Sequence, residues 1–162
     1  DLYIFGRPPA GVEVEAVPFL RNPLVALGPP EHSLAGRTQV PLAELGAHPF
    51  LAREPGSGTR LAVERLCDEH GVALKVRMEL GSNEAIKQSV AAGMGLSVLS
   101  QHTLVGSGGE VAVLDVAGFP IERQWYVVYP RGKERSVAVE TFMTYLLEEG
   151  ADVAGSAGAA QR

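Results

Sequence analysis

The sequence has little of what several protein classes require. Cys67 is its only cysteine, which excludes an internal disulfide and suits a reducing cytoplasm. It contains no run of about 18 apolar residues, the pattern that predicts a membrane-spanning helix. Lysine and arginine are not clustered, and the net charge at pH 7 is -5. Because a DNA-binding surface needs clustered cations to neutralise phosphates, we do not expect this segment alone to bind DNA.

Patterns typical of catalytic and metal sites are also scarce. The histidines are scattered, with no i, i+4 pair and no cysteine cluster, so no metal site is predicted. Ser57 lacks the Gly-x-Ser-x-Gly turn that exposes the nucleophile of many hydrolases. No other nucleophile lies beside a base in a recognisable pattern. The sequence therefore predicts no catalytic residue, no metal and no cofactor.

What the sequence does contain is strands that alternate with helices. Strand-like runs cover residues 2–5, 12–17, 24–27, 50–52, 72–80, 96–99, 111–116 and 121–129. Helical patterns cover residues 41–45, a stretch that follows residues 56–59 and ends near 71, residues 82–93, and a last stretch from 136. This alternation predicts an α/β fold with crossover connections. Residues 150–162 are rich in alanine, glycine and serine, which predicts a disordered tail.

Two helix starts carry the most suggestive polar residues. At residues 56–59, Gly-Ser-Gly-Thr opens a helix whose free N–H groups and positive dipole end would attract an anion. Ser57 and Thr59 add hydroxyl donors, and Arg53 and Arg60 could offer forked contacts. The alternative is an ordinary helix cap with arginines facing solvent. The turn is not a Walker loop, because no Gly-Lys-Ser/Thr follows at the required spacing.

A second helix start repeats the pattern. Ser82 and Asn83 offer a choice of N-caps, and two helix N-termini that converge on one crevice would form a site for an anionic or polar ligand. Two unrelated caps are the alternative. Arg7 follows the first strand and could point at a ligand, or it could be a solvated turn residue beside two prolines.

Two longer segments resemble one protein family. Residues 50–60, Phe-Leu-Ala-Arg-Glu-Pro-Gly-Ser-Gly-Thr-Arg, and residues 79–99, which begin Glu-Leu-Gly-Ser-Asn-Glu-Ala-Ile-Lys, resemble segments of the effector domains of LysR-type transcription regulators. Residues 1–9 and 22–35 fit the same pattern, so that the resemblance covers residues 1–149 in order. Residues 5–9, 54–60 and 123–130 look most like the regulators of RuBisCO (carbon-fixation) operons.

The resemblance implies a two-lobed α/β fold of the type 2 periplasmic-binding-protein kind, with the first lobe incomplete at its N-terminus. Residues 1–23 and 117–149 would be the remnant of the first lobe, and residues 24–116 the second. A small metabolite would bind between the lobes. The family further implies a cytoplasmic homo-oligomer, a dimer or tetramer, that contacts no membrane. It would reach DNA only through an N-terminal domain absent from this sequence.

Carried over position by position, the resemblance places ligand contacts at Arg7, Ser57, Thr59, Arg60, Ser82 and Asn83. RuBisCO-operon regulators sense phosphorylated Calvin-cycle intermediates or reduced nicotinamide nucleotide, so we expect an anionic effector such as a sugar phosphate or an NADPH-like metabolite. One alternative is the extracytoplasmic solute-binding protein of a transporter, which shares the fold. Another is an enzyme on a related two-lobed scaffold, because fold alone does not decide function.

Overall fold

The structure, a computed structural model, describes residues 2–8, 11–106 and 108–159, with side chains described up to residue 150. In chain order its elements are β1 (Tyr3–Phe5), β2 (Val14–Arg21), β3 (Leu24–Gly28), α1 (Leu42–Ala47), β4 (Pro49–Arg53), α2 (Gly58–Glu69), β5 (Lys75–Leu80), α3 (Asn83–Ala91), β6 (Leu96–Ser100), a 3-10 turn (Gln101–Leu104), β7 (Ala112–Leu114), β8 (Gln124–Pro130) and α4 (Val137–Ala159). Contacts divide these elements into two units. Unit 1 comprises the described residues up to Asn22 and from Arg123 onward, and unit 2 spans Pro23–Glu122.

Unit 2 is built on a five-stranded sheet in the order β5-β4-β6-β3-β7. Side chains along β3 alternate between two cores. Leu24 and Ala26 join the core that contains α1 and α2, whereas Val25 and Leu27 join the core that contains α3. A strand buried on both faces is a continuous apolar run, which is the pattern that predicted this strand. β4 is parallel to β5 and β6, and β3 is antiparallel to β6 and β7.

Unit 1 is built on a three-stranded sheet in the order β1-β8-β2, with both strand pairs antiparallel. α4 packs on this sheet, where Met143 joins Val127 and Tyr129 in one buried cluster. The side chains of β1 are exposed. The two described units both combine strands with helices, as the alternating sequence pattern predicted.

The sequence-based expectation ends the second lobe at residue 116, whereas unit 2 of the structure continues to Glu122. The N–H of Ala117 donates to the carbonyl of Val40, and Ile121 pairs with Leu24. Ile121 also packs against the core around α1 and α2. These contacts keep residues 117–122 in unit 2, so the chain changes unit after residues 22 and 122.

The largest difference from the sequence-based expectation is α4, which continues to Ala159 through the segment predicted to be disordered. Alanine is the best helix former, and a helix already begun extends at little cost, so the composition favours helix here. Gly150 is buried where α4 meets β2, and a Cβ at this position would collide with the carbonyl of Phe19. Residues 160–162 of the predicted tail lie outside the described residues.

Neither α4 nor any other described helix has both the length and the apolar content needed to cross a membrane.

Candidate functional site

The starts of α2 and α3 lie at the same edge of the unit 2 sheet. β4 is parallel to β5 and β6, with Arg53 opposite Leu80 and Leu51 opposite Ser97. Because α2 follows the carboxyl end of β4 and α3 follows that of β5, both helix N-termini emerge at this edge. We call it the β4–β5–β6 edge. Ligands of open α/β sheets commonly bind at the carboxyl ends of the strands.

Arg53, the last residue of β4, links the end of this strand to the start of α3. Its Nη1 donates to Oδ1 of Asn83 at 2.5 Å, and Nε and Nη2 donate to the carboxylate of Glu54 at 2.7 and 2.8 Å. The Arg53 side chain is only 17% exposed and that of Glu54 is 41% exposed, so these bonds are partly buried. The predicted ligand residue Asn83 is thus positioned by its Oδ1, which leaves its amide NH2 group as the donor for a ligand.

Arg60 is already paired with carboxylates. Its Nε donates to Glu64 at 2.7 Å, and its Nη1 donates to Glu79 at 2.6 Å and to the carbonyl of Arg53 at 3.1 Å. The hydrogen bond to Glu64, followed by the one to Glu79, raises the pKa of Arg60 above its ordinary value. An anionic ligand would have to compete with these carboxylates, so Arg60 as a ligand contact stays a prediction.

The predicted ligand residues Ser57, Thr59 and Ser82 differ in the burial and the hydrogen bonds of their hydroxyl groups. Ser57 is the N-cap of α2, yet its side chain makes no capping hydrogen bond, and it is half-buried. Thr59 is also half-buried. Ser82 caps α3, because its Oγ accepts from the N–H of Ala85 at 3.3 Å. Its O–H can still donate, so each of the three residues can offer a proton to an anion.

Arg7, the remaining predicted contact, belongs to unit 1. It follows β1 and is exposed. The structure therefore brings five of the six predicted residues to the β4–β5–β6 edge of unit 2 and places the sixth in the other unit.

Polar residues at the end of β6 carry no local sequence signal for a site. Ser100 Oγ accepts from the N–H of His102 at 3.3 Å, and Thr103 Oγ1 donates to the carbonyl of Ser100 at 2.7 Å. Because β6 is parallel to β4, these residues lie at the same edge as the two helix starts. The signal that could have found them is the rule that adjacent parallel strands end at one edge.

A cavity of about 220 Å³ lies between α2 and the sheet of unit 2. Its lining is mainly apolar and includes Phe50, Val63 and Val76, with Thr59 among the polar residues. Cys67 also lines it, and burial raises the pKa of this thiol above its ordinary value. A buried thiol with a raised pKa is not a reactive thiolate, so Cys67 acts here as a core residue.

His32 and His48 lie together, which their separation in sequence did not indicate. Their ring centroids are 4.6 Å apart in an edge-on arrangement, and burial, followed by the charge of His48, lowers the pKa of His32. Within the described part of the chain, no group of three or more His, Cys, Asp or Glu side chains could hold a metal ion.

Comparison with known proteins identifies relatives at high identity. Residues 1–151 match the family described as the LysR substrate binding domain. A RuBisCO operon transcriptional regulator of Acidithiobacillus ferrooxidans is 51% identical over 154 residues, which are 94% of this chain and 50% of that protein. Another, of Allochromatium vinosum, is 48% identical over 153 residues, 93% of this chain and 51% of that protein. The chain therefore spans about half the length of these relatives.

A solved structure gives the same result for the fold. The regulatory domain of Synechocystis PCC6803 CcmR in complex with 2-PG is 51% identical, with a TM-score of 0.88 over 93% of this chain and 73% of that chain. The predicted fold class and the resemblance to RuBisCO-operon regulators are confirmed, and the alternative of a transporter's solute-binding protein is not supported. The chain belongs to the LysR substrate binding domain family and is the effector-binding domain of a regulator similar to those of RuBisCO operons.

Proposed function

We propose that the β4–β5–β6 edge binds a small anionic metabolite and that this binding controls carbon-fixation genes. The observation that carries the proposal is the pair of helix N-termini at one sheet edge, where Arg53 at the end of β4 binds Asn83 at the start of α3. Each terminus has N–H groups without a helical acceptor, and its positive end favours anions. Ser57 and Ser82 add hydroxyl donors beside them. The complex of the CcmR regulatory domain with 2-PG supports the same class of ligand for this chain.

The ligand that fits best is a small acid with two anionic groups. 2-Phosphoglycolate carries a phosphate and a carboxylate, and two adjacent helix N-termini offer one donor set for each. Sugar phosphates and NADPH-like nucleotides share the phosphate but are larger. 2-Phosphoglycolate is therefore the first candidate, ahead of sugar phosphates and NADPH-like nucleotides.

Backbone N–H groups and hydroxyls supply most of the contacts in this proposal. The guanidinium of Arg60 already binds Glu64 and Glu79, so a ligand gains from it only by displacing a carboxylate. Arg53 instead fixes the position of Asn83. Arg7 of unit 1 stays a predicted contact.

The relatives, of which this chain covers about half, support a proposal for the whole regulator. We propose that DNA is bound by a segment outside this chain, since the net charge of the chain is -5 and a DNA-binding surface would be cationic. We also propose that the regulator is a cytoplasmic homo-oligomer and that it catalyses no reaction. Effector binding would act by favouring one of two conformations of the regulator.

Isothermal titration calorimetry of the chain tests the binding site. 2-Phosphoglycolate, a sugar bisphosphate and NADPH are titrated side by side, with glycolate as the ligand that lacks phosphate. We expect 2-phosphoglycolate to bind most tightly and glycolate at least tenfold more weakly, because one charge-assisted contact corresponds to about tenfold in affinity. Tighter binding of NADPH or of the sugar bisphosphate would reassign the effector.

Two variants connect the affinity to this edge. Asn83→Ala removes an amide donor at the start of α3, and Ser57→Ala removes a hydroxyl that caps nothing. Each should weaken 2-phosphoglycolate binding by roughly tenfold. Ser33→Ala removes an exposed hydroxyl elsewhere in unit 2 and should change nothing. If neither Asn83→Ala nor Ser57→Ala alters the affinity, the proposed site is wrong.

A further inference from the structure

α2 leaves a gap against the sheet of unit 2. Its two buried residues, Val63 and Cys67, have short side chains, and the longer Leu66 packs beside Gly118. A cavity of about 220 Å³ remains between α2 and the sheet, and we call it the α2 cavity. The gap follows from the small residues that the sequence places on this side of α2.

The walls of the α2 cavity are mainly apolar. Phe50 of β4 and Val98 of β6 line it from the sheet, and Val63 and Cys67 line it from α2. These four residues are almost fully buried, whereas Val76 on the edge strand β5 is 47% exposed. The cavity therefore has buried apolar walls and opens to solvent beside β5.

The size of the α2 cavity is unusual for a protein interior. Interiors are close-packed, and few voids are larger than a water molecule, because the lining atoms of a void lose dispersion contacts. Apolar cavities tend to stay dry, and an engineered one of about 150 Å³ binds benzene. The α2 cavity thus has room for one aromatic ring with a short substituent.

The charged side chains that line the α2 cavity cancel one another. Arg53 and Arg60 carry two positive charges, and Glu64 and Asp68 carry two negative ones. Arg60 also binds Glu64 directly, at 2.7 Å. An ionic occupant would lose its hydration without meeting a net opposite charge, so the lining favours a neutral molecule.

We propose that the α2 cavity binds a small, neutral, apolar molecule the size of a single substituted aromatic ring. Most of the binding energy comes from burial of its apolar surface against the walls contributed by β4, β6 and α2. The proposal adds a site that differs in ligand chemistry from the anion site at the β4–β5–β6 edge, and it does not depend on that site.

Methyl NMR titration of the chain with benzyl alcohol tests the proposal. The methyl signals of Val63 and Val76, which line the cavity, should shift in a saturable way. Those of Val25 and Val90, in the core under α3, should stay in place. Benzoate has the same ring with a carboxylate, and at the Val63 and Val76 signals it should bind at least tenfold more weakly.

Two variants of the cavity walls connect the shifts to this space. Cys67→Leu adds two carbon atoms inside the cavity and should weaken benzyl alcohol binding about tenfold, because the ligand loses the burial of about two methylene groups. Val76→Thr keeps the shape of an exposed side chain but places a hydroxyl at the opening, which should weaken binding severalfold. Val113→Leu enlarges an exposed side chain of β7 and should bind as the wild type does.

The stability of Cys67→Leu checks the cavity without a ligand. Filling an empty apolar space should raise the urea midpoint or leave it unchanged. A lower midpoint would be the result of overpacking and would show that the space does not exist. The proposal is also wrong if benzyl alcohol causes no saturable shift, if Cys67→Leu and Val76→Thr both bind as the wild type does, or if benzoate binds as tightly.

A second copy of the chain is the other occupant that the experiment can detect. If a second copy covers the cavity, the Val63 and Val76 signals change with protein concentration in the absence of benzyl alcohol, and this result would contradict the proposal. Asn83→Ala and Ser57→Ala should bind benzyl alcohol normally. Weaker 2-phosphoglycolate binding in those two variants, without benzyl alcohol binding in the wild type, would contradict only the proposal for the α2 cavity.

Discussion

The described parts of the two units differ in how much of each sheet is covered by a hydrophobic core. Unit 2 has a core on each face of its sheet, and the side chains of β3 supply both. In the described part of unit 1 a single cluster forms under α4, while the side chains of β1 are exposed. Because hydrophobic stabilisation scales with the apolar area removed from water, unit 2 should hold most of the free energy of unfolding.

The two units also differ in the contacts that their arginine side chains make. At the β4–β5–β6 edge of unit 2, Arg53 and Arg60 bind carboxylates and thereby order two helix starts. In unit 1, the Arg123 guanidinium is half-buried and packs against Gly6, and burial lowers its pKa below the ordinary value. Carboxylates thus hold the arginines at the edge of unit 2, whereas Arg123 of unit 1 packs against glycine backbone.

Removing core side chains from each unit should have the largest effects. Leu51 is fully buried in unit 2, and Met143 is 8% exposed in unit 1. We expect Leu51→Ala to lower the free energy of unfolding by about 4 kcal/mol and Met143→Ala by about 2 kcal/mol, since the cost grows with the cavity left behind. Trp125, the only tryptophan, lies in β8 of unit 1 and reports that unit by fluorescence, while circular dichroism reports both.

Urea denaturation, followed by both Trp125 fluorescence and circular dichroism, compares the stability of the two units. If the units unfold separately, Leu51→Ala shifts the circular dichroism transition more than the Trp125 fluorescence transition. Equal shifts of both signals would mean that the units unfold together, and equal losses in the two variants would contradict a tighter core in unit 2.

Gly150→Ala probes the contact between α4 and β2 in unit 1. The added Cβ meets the backbone carbonyl of Phe19, which cannot rotate away as a side chain can. Overpacking of this kind costs about 1–3 kcal/mol, which outweighs the gain in helix propensity of about 1 kcal/mol from glycine to alanine. Gly81→Ala is the matched control, because a Cβ there meets nothing within 4 Å. A Gly150→Ala variant as stable as the wild type by Trp125 fluorescence would show that α4 does not pack closely.

The sequence predicts those parts of the fold that local patterns determine. The apolar run at residues 24–27 predicts a strand, which the structure buries along its whole length, and Ser82 before an apolar period marks the start of α3. Arg53 and Asn83 are 30 positions apart, and they meet because β4 and β5 are parallel neighbours. No local pattern encodes that pairing.

The same reasoning explains the other misses. Arg60 binds Glu64, four residues on in α2, and also Glu79, which the next strand brings to it and which local sequence does not indicate. The helix beyond Gly150 follows from the helix propensity of its alanines, which its glycine and serine residues obscure, and from a contact with Phe19 that is not visible in the sequence. Local propensity and distant partners therefore both contribute to these differences.

Arg53→Ala tests whether the paired arginines of unit 2 organise the binding site. Loss of the bonds to Asn83 and Glu54 frees the start of α3, so we expect 2-phosphoglycolate to bind about tenfold more weakly, or about 1.4 kcal/mol. Arg53→Lys should recover part of the affinity if a single donor to Asn83 suffices. Arg65→Ala is the control, because its ion pair with Glu69 is exposed on α2. Unchanged affinity in Arg53→Ala, measured by calorimetry, would mean that Asn83 needs no positioning.

The smallest effect should come from a polar contact in unit 1. The hydroxyl of buried Tyr129 donates to Glu15 at 2.7 Å, and this bond raises the pKa of Tyr129 above its ordinary value. Tyr129→Phe should lower the free energy of unfolding by about 1 kcal/mol at pH 7, whereas Tyr145→Phe, on an exposed side chain, should be neutral. A raised pKa in the folded state means that this contribution is complete below pH of about 10 and is lost as pH rises through the folded value. The wild type and Tyr129→Phe should therefore converge in stability at alkaline pH, and a difference that persists there would show that the bond to Glu15 is not its source.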